Sequence, residues 1–73
     1  MDATDIAQQY RSETNRRAGV VVVFQGQAGG WMDKLRDPHC WEPGCIAVDT
    51  DGNQFLAVGG DPYNGAKEWQ ALA

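Results

Sequence analysis

No apolar run in this sequence is longer than the five residues from Val20 to Phe24. A helix that crosses a bilayer needs about 20, so no helical membrane span is expected. The opening Met1-Asp2-Ala3-Thr4-Asp5 lacks the basic start and apolar middle of a signal peptide, which makes the cytoplasm the expected location. Cysteine is scarce: Cys40 and Cys45 are too few for the disulfide framework of a small secreted domain, and in a reducing compartment they stand as free thiols. Closure across Pro43-Gly44 remains open under oxidation. Basic residues nearly vanish from the second half, where Asp37, Glu42, Asp49, Asp51, Asp61 and Glu68 face Lys67 alone. Charge of that sign repels phosphate and steers toward basic partners, although a net charge of −4 also serves solubility by itself.

With 73 residues the chain makes one domain, 1–73, near the lower limit at which a single core sustains a fold. Large apolar side chains are few, so the expected core draws on Val20 to Phe24, Ile46, Val48, Phe55, Leu56, Val58, Leu72 and the three tryptophans Trp31, Trp41 and Trp69. Each aromatic removes roughly 150–250 Å² from water. Residues 3–17 carry Ile6 and Tyr10 at helical spacing, with Asp2 or Thr4 as N-cap and Gly19 as the stop. Val20-Val21-Val22-Val23-Phe24, four β-branched residues and an aromatic, is bounded by Gly19 and by Gln25-Gly26, the pattern of a strand buried on both faces. Gln25-Gly26-Gln27 then turns the chain into a second strand ending near Trp31-Met32, with Gly29-Gly30 allowing a bulge or a strong bend before that Trp.

Restricted residues concentrate between Leu35 and Gly44. Pro38 suits the first position of a helical turn that Asp37 would cap, and Pro43-Gly44 stops the turn and reverses the chain. Trp41 is expected to be buried and to anchor this corner, with Trp31, Pro38, Pro43, Gly44 and Trp69 as further structural residues. Beyond it, Asp51-Gly52 between Cys45–Asp49 and Gln54–Gly59 is a strong hairpin signal. Trp69 and Ala71 alternate with polar neighbours, so Ala66–Leu72 reads as a closing edge strand. The expected fold is α+β and mainly β: a short N-terminal helix, then over residues 20–72 a curled antiparallel sheet of four to five strands, or a small barrel.

Candidate chemistry is sparse. His39, Cys40 and Cys45, with Asp37 and Glu42 nearby, suggest zinc, but a closed structural site takes paired ligands from two separate knuckles and this is a single cluster. A Cys-His nucleophile lacks an orienting partner and an oxyanion motif, and Cys40 reads better as a small buried hydrophobe. Asp49, Asp51 and Asn53 have the spacing of a calcium loop without its Glu at the twelfth position. Gly26-x-x-Gly29-Gly30 has no Lys-Ser/Thr and no following helix to cradle phosphate. Two carboxylates facing across a glycosidase cleft would need more room than this chain offers. The expectation is therefore no enzyme, no metal and no cofactor.

The order of motifs is more specific. A strand of valines, Gly26, Trp31, Leu35-Arg36-Asp37-Pro38-x-x-Trp41-x-Pro43-Gly44-x-x-Ala47-Val48-Asp49, Asp51-Gly52, Gly59-Gly60 and Gly65-Ala66-x-x-Trp69 resembles a family of small proteins carried on conjugative plasmids, the ArdR-type antirestriction proteins. The resemblance implies protection of an incoming mobile element from host restriction or CRISPR defence. On that basis Asp37, Glu42, Asp49, Asp51 and Asp61 form the expected partner-binding set, facing a basic protein surface such as a host nuclease or defence complex. The alternative is a small-barrel regulator that binds nucleic acid through Arg11, Arg16, Arg17, Lys34 and Arg36.

Overall fold

The computed structural model describes residues 2–15 and 17–72. A helix, α1 (Ala3–Thr14), precedes five strands: β1 (Val20–Phe24), β2 (Gln27–Met32), β3 (Ile46–Val48), β4 (Gln54–Val58) and β5 (Glu68–Leu72). All neighbouring strands are antiparallel, in the order β2-β1-β3-β4-β5. The sheet stays open, with β2 and β5 as its edges, and does not close into the small barrel that was one expectation.

The helix starts where Asp2 Oδ1 accepts the Asp5 N–H at 2.9 Å, which satisfies one of the donors that a first turn leaves unpaired. It ends earlier than the spacing suggests. Asn15 takes the left-handed conformation, and its N–H donates to the Arg11 carbonyl, so the expected continuation to residue 17 and the stop at Gly19 give way to an Asn C-cap. Arg11 then acts as a tie. Its Nη1 donates to Ala18 O at 3.1 Å, and its Nη2 to Gly19 O at 2.9 Å and Val48 O at 3.1 Å, fastening the end of α1 to the start of β1 and the end of β3.

In β1, Val20 to Val23 are all buried, and by strand alternation they serve two layers. Val21 and Val23 join Val48 beneath Ala3 and Ala7 of α1, with Ile6, Tyr10, Ala28, Trp31 and Ile46 around them. Val20 and Val22 join Met32, Cys45, Ala47, Ala57 and Ala66 on the opposite face, under Phe24, Leu35, Phe55, Trp41 and Trp69. The core thus relies on alanines and on Cys45 where the sequence suggested Leu56, Val58 and Leu72. Leu56 and Val58 are only half-buried and belong to neither cluster, and Leu72 is 40% exposed.

Two local devices set the register. Gln25 and Gly26, both at positive φ, form the two-residue turn that matches strand twist. Val22 pairs with Gly30 while Val23 pairs with Ala28, so Gly29 is the extra residue of the expected bulge. From Met32 the chain leaves β2 and crosses the face opposite α1 as far as β5. There Arg36 O accepts the Trp69 indole N–H at 3.3 Å and Trp41 O accepts the Ala66 N–H at 2.9 Å. It then returns to β3.

This corner holds a 3-10 turn, Pro38–Cys40, with Pro38 at its start. Asp37 precedes it in the left-handed conformation and makes no cap hydrogen bond, contrary to the expected capping role, and its carboxylate accepts from Arg36 Nη1 instead. Trp41 is half-buried and lies on Gly30, so it anchors the corner without being fully enclosed. Pro43 is half-buried beside it, and Gly44 N–H donates to Ala57 O at 3.0 Å, tying the end of the corner to β4. Cys40 is exposed, contrary to its expected role as a small buried hydrophobe, and Cys45 is the buried thiol.

Candidate functional site

The β4–β5 connection, Gly59 to Lys67, folds down onto the corner. Gly65 is buried against the main chain of His39, and Asp61 and Gly65 form an isolated bridge in which Gly65 N–H donates to Asp61 O at 2.9 Å. Asp61 organises the tip. Its Oδ1 accepts the N–H groups of Tyr63 at 2.9 Å and Asn64 at 2.7 Å, and its Oδ2 accepts from Asn64 Nδ2 at 3.1 Å. These bonds hold the turn shut and leave Tyr63 94% exposed. Beside the tip lies a cleft of about 470 Å³ lined by Asp37, His39, Asp61, Asn64 and Lys67 among others.

The β3–β4 tip repeats the chemistry. Asp49 Oδ1 accepts the N–H groups of Asp51 and Asn53, each at 2.9 Å, and Oδ2 accepts from Asn53 Nδ2 at 3.1 Å. Because this tip precedes β4 and the Asp61 loop follows it, the two lie at opposite ends of that strand. The five acids expected to meet a partner therefore divide. Asp37 and Asp61 line one cleft, exposed Glu42 lies in the corner next to Trp41, and Asp49 and Asp51 stand at the far end. Of these, Asp49 and Asp61 are occupied as turn caps, and Asp37 accepts from Arg36 Nη1 at 3.0 Å. Glu42 and Asp51 are exposed, and no side-chain bond engages them among the described residues.

Electrostatics follow these bonds. Hydrogen bonds from the Asn64 N–H and side chain hold the Asp61 carboxyl below the ordinary aspartate range, outweighing slight desolvation. For Asp49, desolvation pushes upward, but the Asn53 and Asp51 donors and the Arg11 charge prevail and lower it. Arg36, donating to Asp33 Oδ1 at 2.9 Å, lowers Asp33 as well. Burial pushes the Cys45 thiol up, away from the reactive thiolate form. Groups whose folded pKa is depressed contribute stability that is complete above the unfolded value, about 3.9 for Asp, and is lost as pH falls through the folded value. Stability is accordingly expected to be level from neutral pH to about 4 and to decline below it. Chemical denaturation across that range should show a shallower decline for Asp61→Asn than for the parent, and parallel declines would remove Asp61 as a contributor.

The cations of the nucleic-acid alternative are also dispersed in role. Arg11 is spent on three carbonyls and Arg36 on Asp33 and Asp37. Arg16 lies outside the described residues, while Arg17 and Lys34 are exposed, their side chains unengaged among the described residues. No three His, Cys, Asp or Glu side chains gather in a metal-binding arrangement among the described residues, and no described helix is long and apolar enough to cross a membrane.

Sequence reasoning passed over Tyr63, although a signal was present. In Asp61-Pro62-Tyr63-Asn64 a large aromatic sits inside a turn too tight to fold it back. Comparison with protein-family models, with curated proteins and with solved structures finds no match.

Proposed function

We propose that this protein works by binding another protein through the end of the sheet where the corner meets the Asp61 loop, with no chemistry of its own. The observation that carries this reading is Tyr63, held 94% exposed on a loop already ordered by Asp61. Tyrosine gives a large contact area at low entropic cost, and a pre-formed loop spares the ordering penalty of association. Asp37, Glu42 and Asp61 outnumber Arg36 and Lys67 in the surroundings, and a surface of net negative sign fits a basic partner. The resemblance to plasmid antirestriction proteins supports a nuclease or another component of host defence as that partner, and a mobile element as the beneficiary.

The test is survival of incoming unmodified plasmid DNA in restricting cells that express the protein. Tyr63→Ser is expected to keep the parent's melting temperature and to lose protection by tenfold or more, the scale of an interface hot spot. A mobility-shift titration at two salt concentrations accompanies it, and no DNA binding is expected. Full protection by the folded variant would refute the assignment of Tyr63. A salt-sensitive DNA shift by the parent would favour the regulator that uses the arginines.

A further inference from the structure

The two sheet edges are not alike. β2 is broken by the Gly29 bulge, a device that discourages pairing with another chain. β5 keeps a regular register with β4 along its whole length, and Glu68–Leu72 contains no proline and no lysine. Its outward groups can be identified. Ala57 N–H donates to Cys45 O, on the β3 side, so Leu56 and Val58 turn their main-chain groups toward β5, where their partners are Gln70 and Glu68. By alternation the N–H and C=O of Trp69 and Ala71 point away from the sheet, and no hydrogen bond reaches them among the described residues.

A second feature lies beside this edge. α1 lies on β1, β2 and β3 and touches β4 where Gln54 Nε2 donates to Thr4 Oγ1 at 2.7 Å. On that side of the sheet Leu56, Val58 and Leu72 form an apolar strip that the helix leaves open, bordered by Glu68 and Gln70.

We propose that β5 pairs antiparallel with β5 of a second copy of this chain, about a two-fold axis at Gln70, so that one sheet runs through both copies. The strand is self-complementary in this register. Trp69 and Ala71 of opposite copies exchange both of their main-chain bonds at each of the two symmetric pairings. Gln70 meets Gln70, and Glu68 meets Leu72, so no like charges are opposed. The exposed Leu72 gains cover from the neighbouring strand, lying against the stem of the partner copy's Glu68. A two-fold contact of this kind closes on itself and does not propagate.

Sedimentation velocity from micromolar to millimolar concentration tests the pairing. The parent is expected to form a dimer that dissociates on dilution. Gln70→Lys and Gln70→Glu each set like charges across the axis and should weaken dimerisation by tenfold or more. An equal mixture of the two should restore it, because Lys then faces Glu. Gln70 is exposed and takes no part in the core, so both variants should melt with the parent at dilutions where the parent is monomeric. Independently of any variant, hydrogen exchange at the Trp69 and Ala71 amides should slow as the parent concentration rises. A parent that stays monomeric throughout, single variants that dimerise as well as the parent, or amide exchange indifferent to concentration would each overturn the proposal.

Discussion

Gly65→Ala is expected to remove a large share of the protein's stability. A Cβ at this position would fall on the His39 carbonyl oxygen, with the His39 carbonyl carbon next nearest, and both are main-chain atoms that no side-chain rotation can move aside. The positive φ of Gly65, +86°, adds about 1 kcal/mol for any residue with a Cβ. Gly52 separates the two contributions. It has the same φ of +86° with nothing within 4 Å of an added Cβ, so Gly52→Ala reports the backbone cost alone. A cost above about 4 kcal/mol at Gly65 compares with a total stability on the order of 4–11 kcal/mol for a chain of 73 residues, at roughly 0.05–0.15 kcal/mol per residue. Urea unfolding of both variants is the measurement. Equal costs would mean that the Asp61 loop does not rest on the corner as described.

Trp41→Ala is the second large effect, expected to cost about 3 kcal/mol, the low end for a truncated Trp because the ring is only partly enclosed. A built Cβ at Gly30 would stand 2.5 Å from Trp41 Cη2, so the indole and the missing side chain of Gly30 form one contact. Gly30→Ala should therefore destabilise the parent by about 2 kcal/mol through overpacking and be close to neutral once Trp41 is alanine. That non-additivity is the signature of direct contact. Additive costs in a double-mutant cycle would place the ring elsewhere.

Features set by neighbours in the chain were legible in the sequence. Asp2 caps α1, Gln25-Gly26 turns β1 into β2, Gly29 bulges, Asp51-Gly52 belongs to the β3–β4 turn, and Trp69 with Ala71 lies in an edge strand. Features set by distant contacts were not. The three carbonyls that hold Arg11 include one from β3. The choice between Cys40 and Cys45 for burial depends on how the 3-10 turn sits on the sheet, and local composition carries no trace of it. Barrel closure would need β2 to meet β5, a pairing between chain segments that share no turn. At the candidate site, acid spacing gave the right residues for turn chemistry but a different use. Asp49 and Asp61 spend their oxygens on main-chain N–H groups, while Tyr63, which the turn expels, offers the free surface.

The strand order has a kinetic meaning as well. β1–β2 is one hairpin and β3–β4–β5 one meander of sequential neighbours; the seam between them, where Val22 meets Ala47, is the strand pairing that must gather the whole corner before it forms. Loop closure is costly until such contacts repay it, so this seam is expected to set the pace of folding. Truncation at Val22 or Ala47 is therefore expected to slow refolding, and truncation in either outer strand to speed unfolding, as stopped-flow denaturant jumps would read.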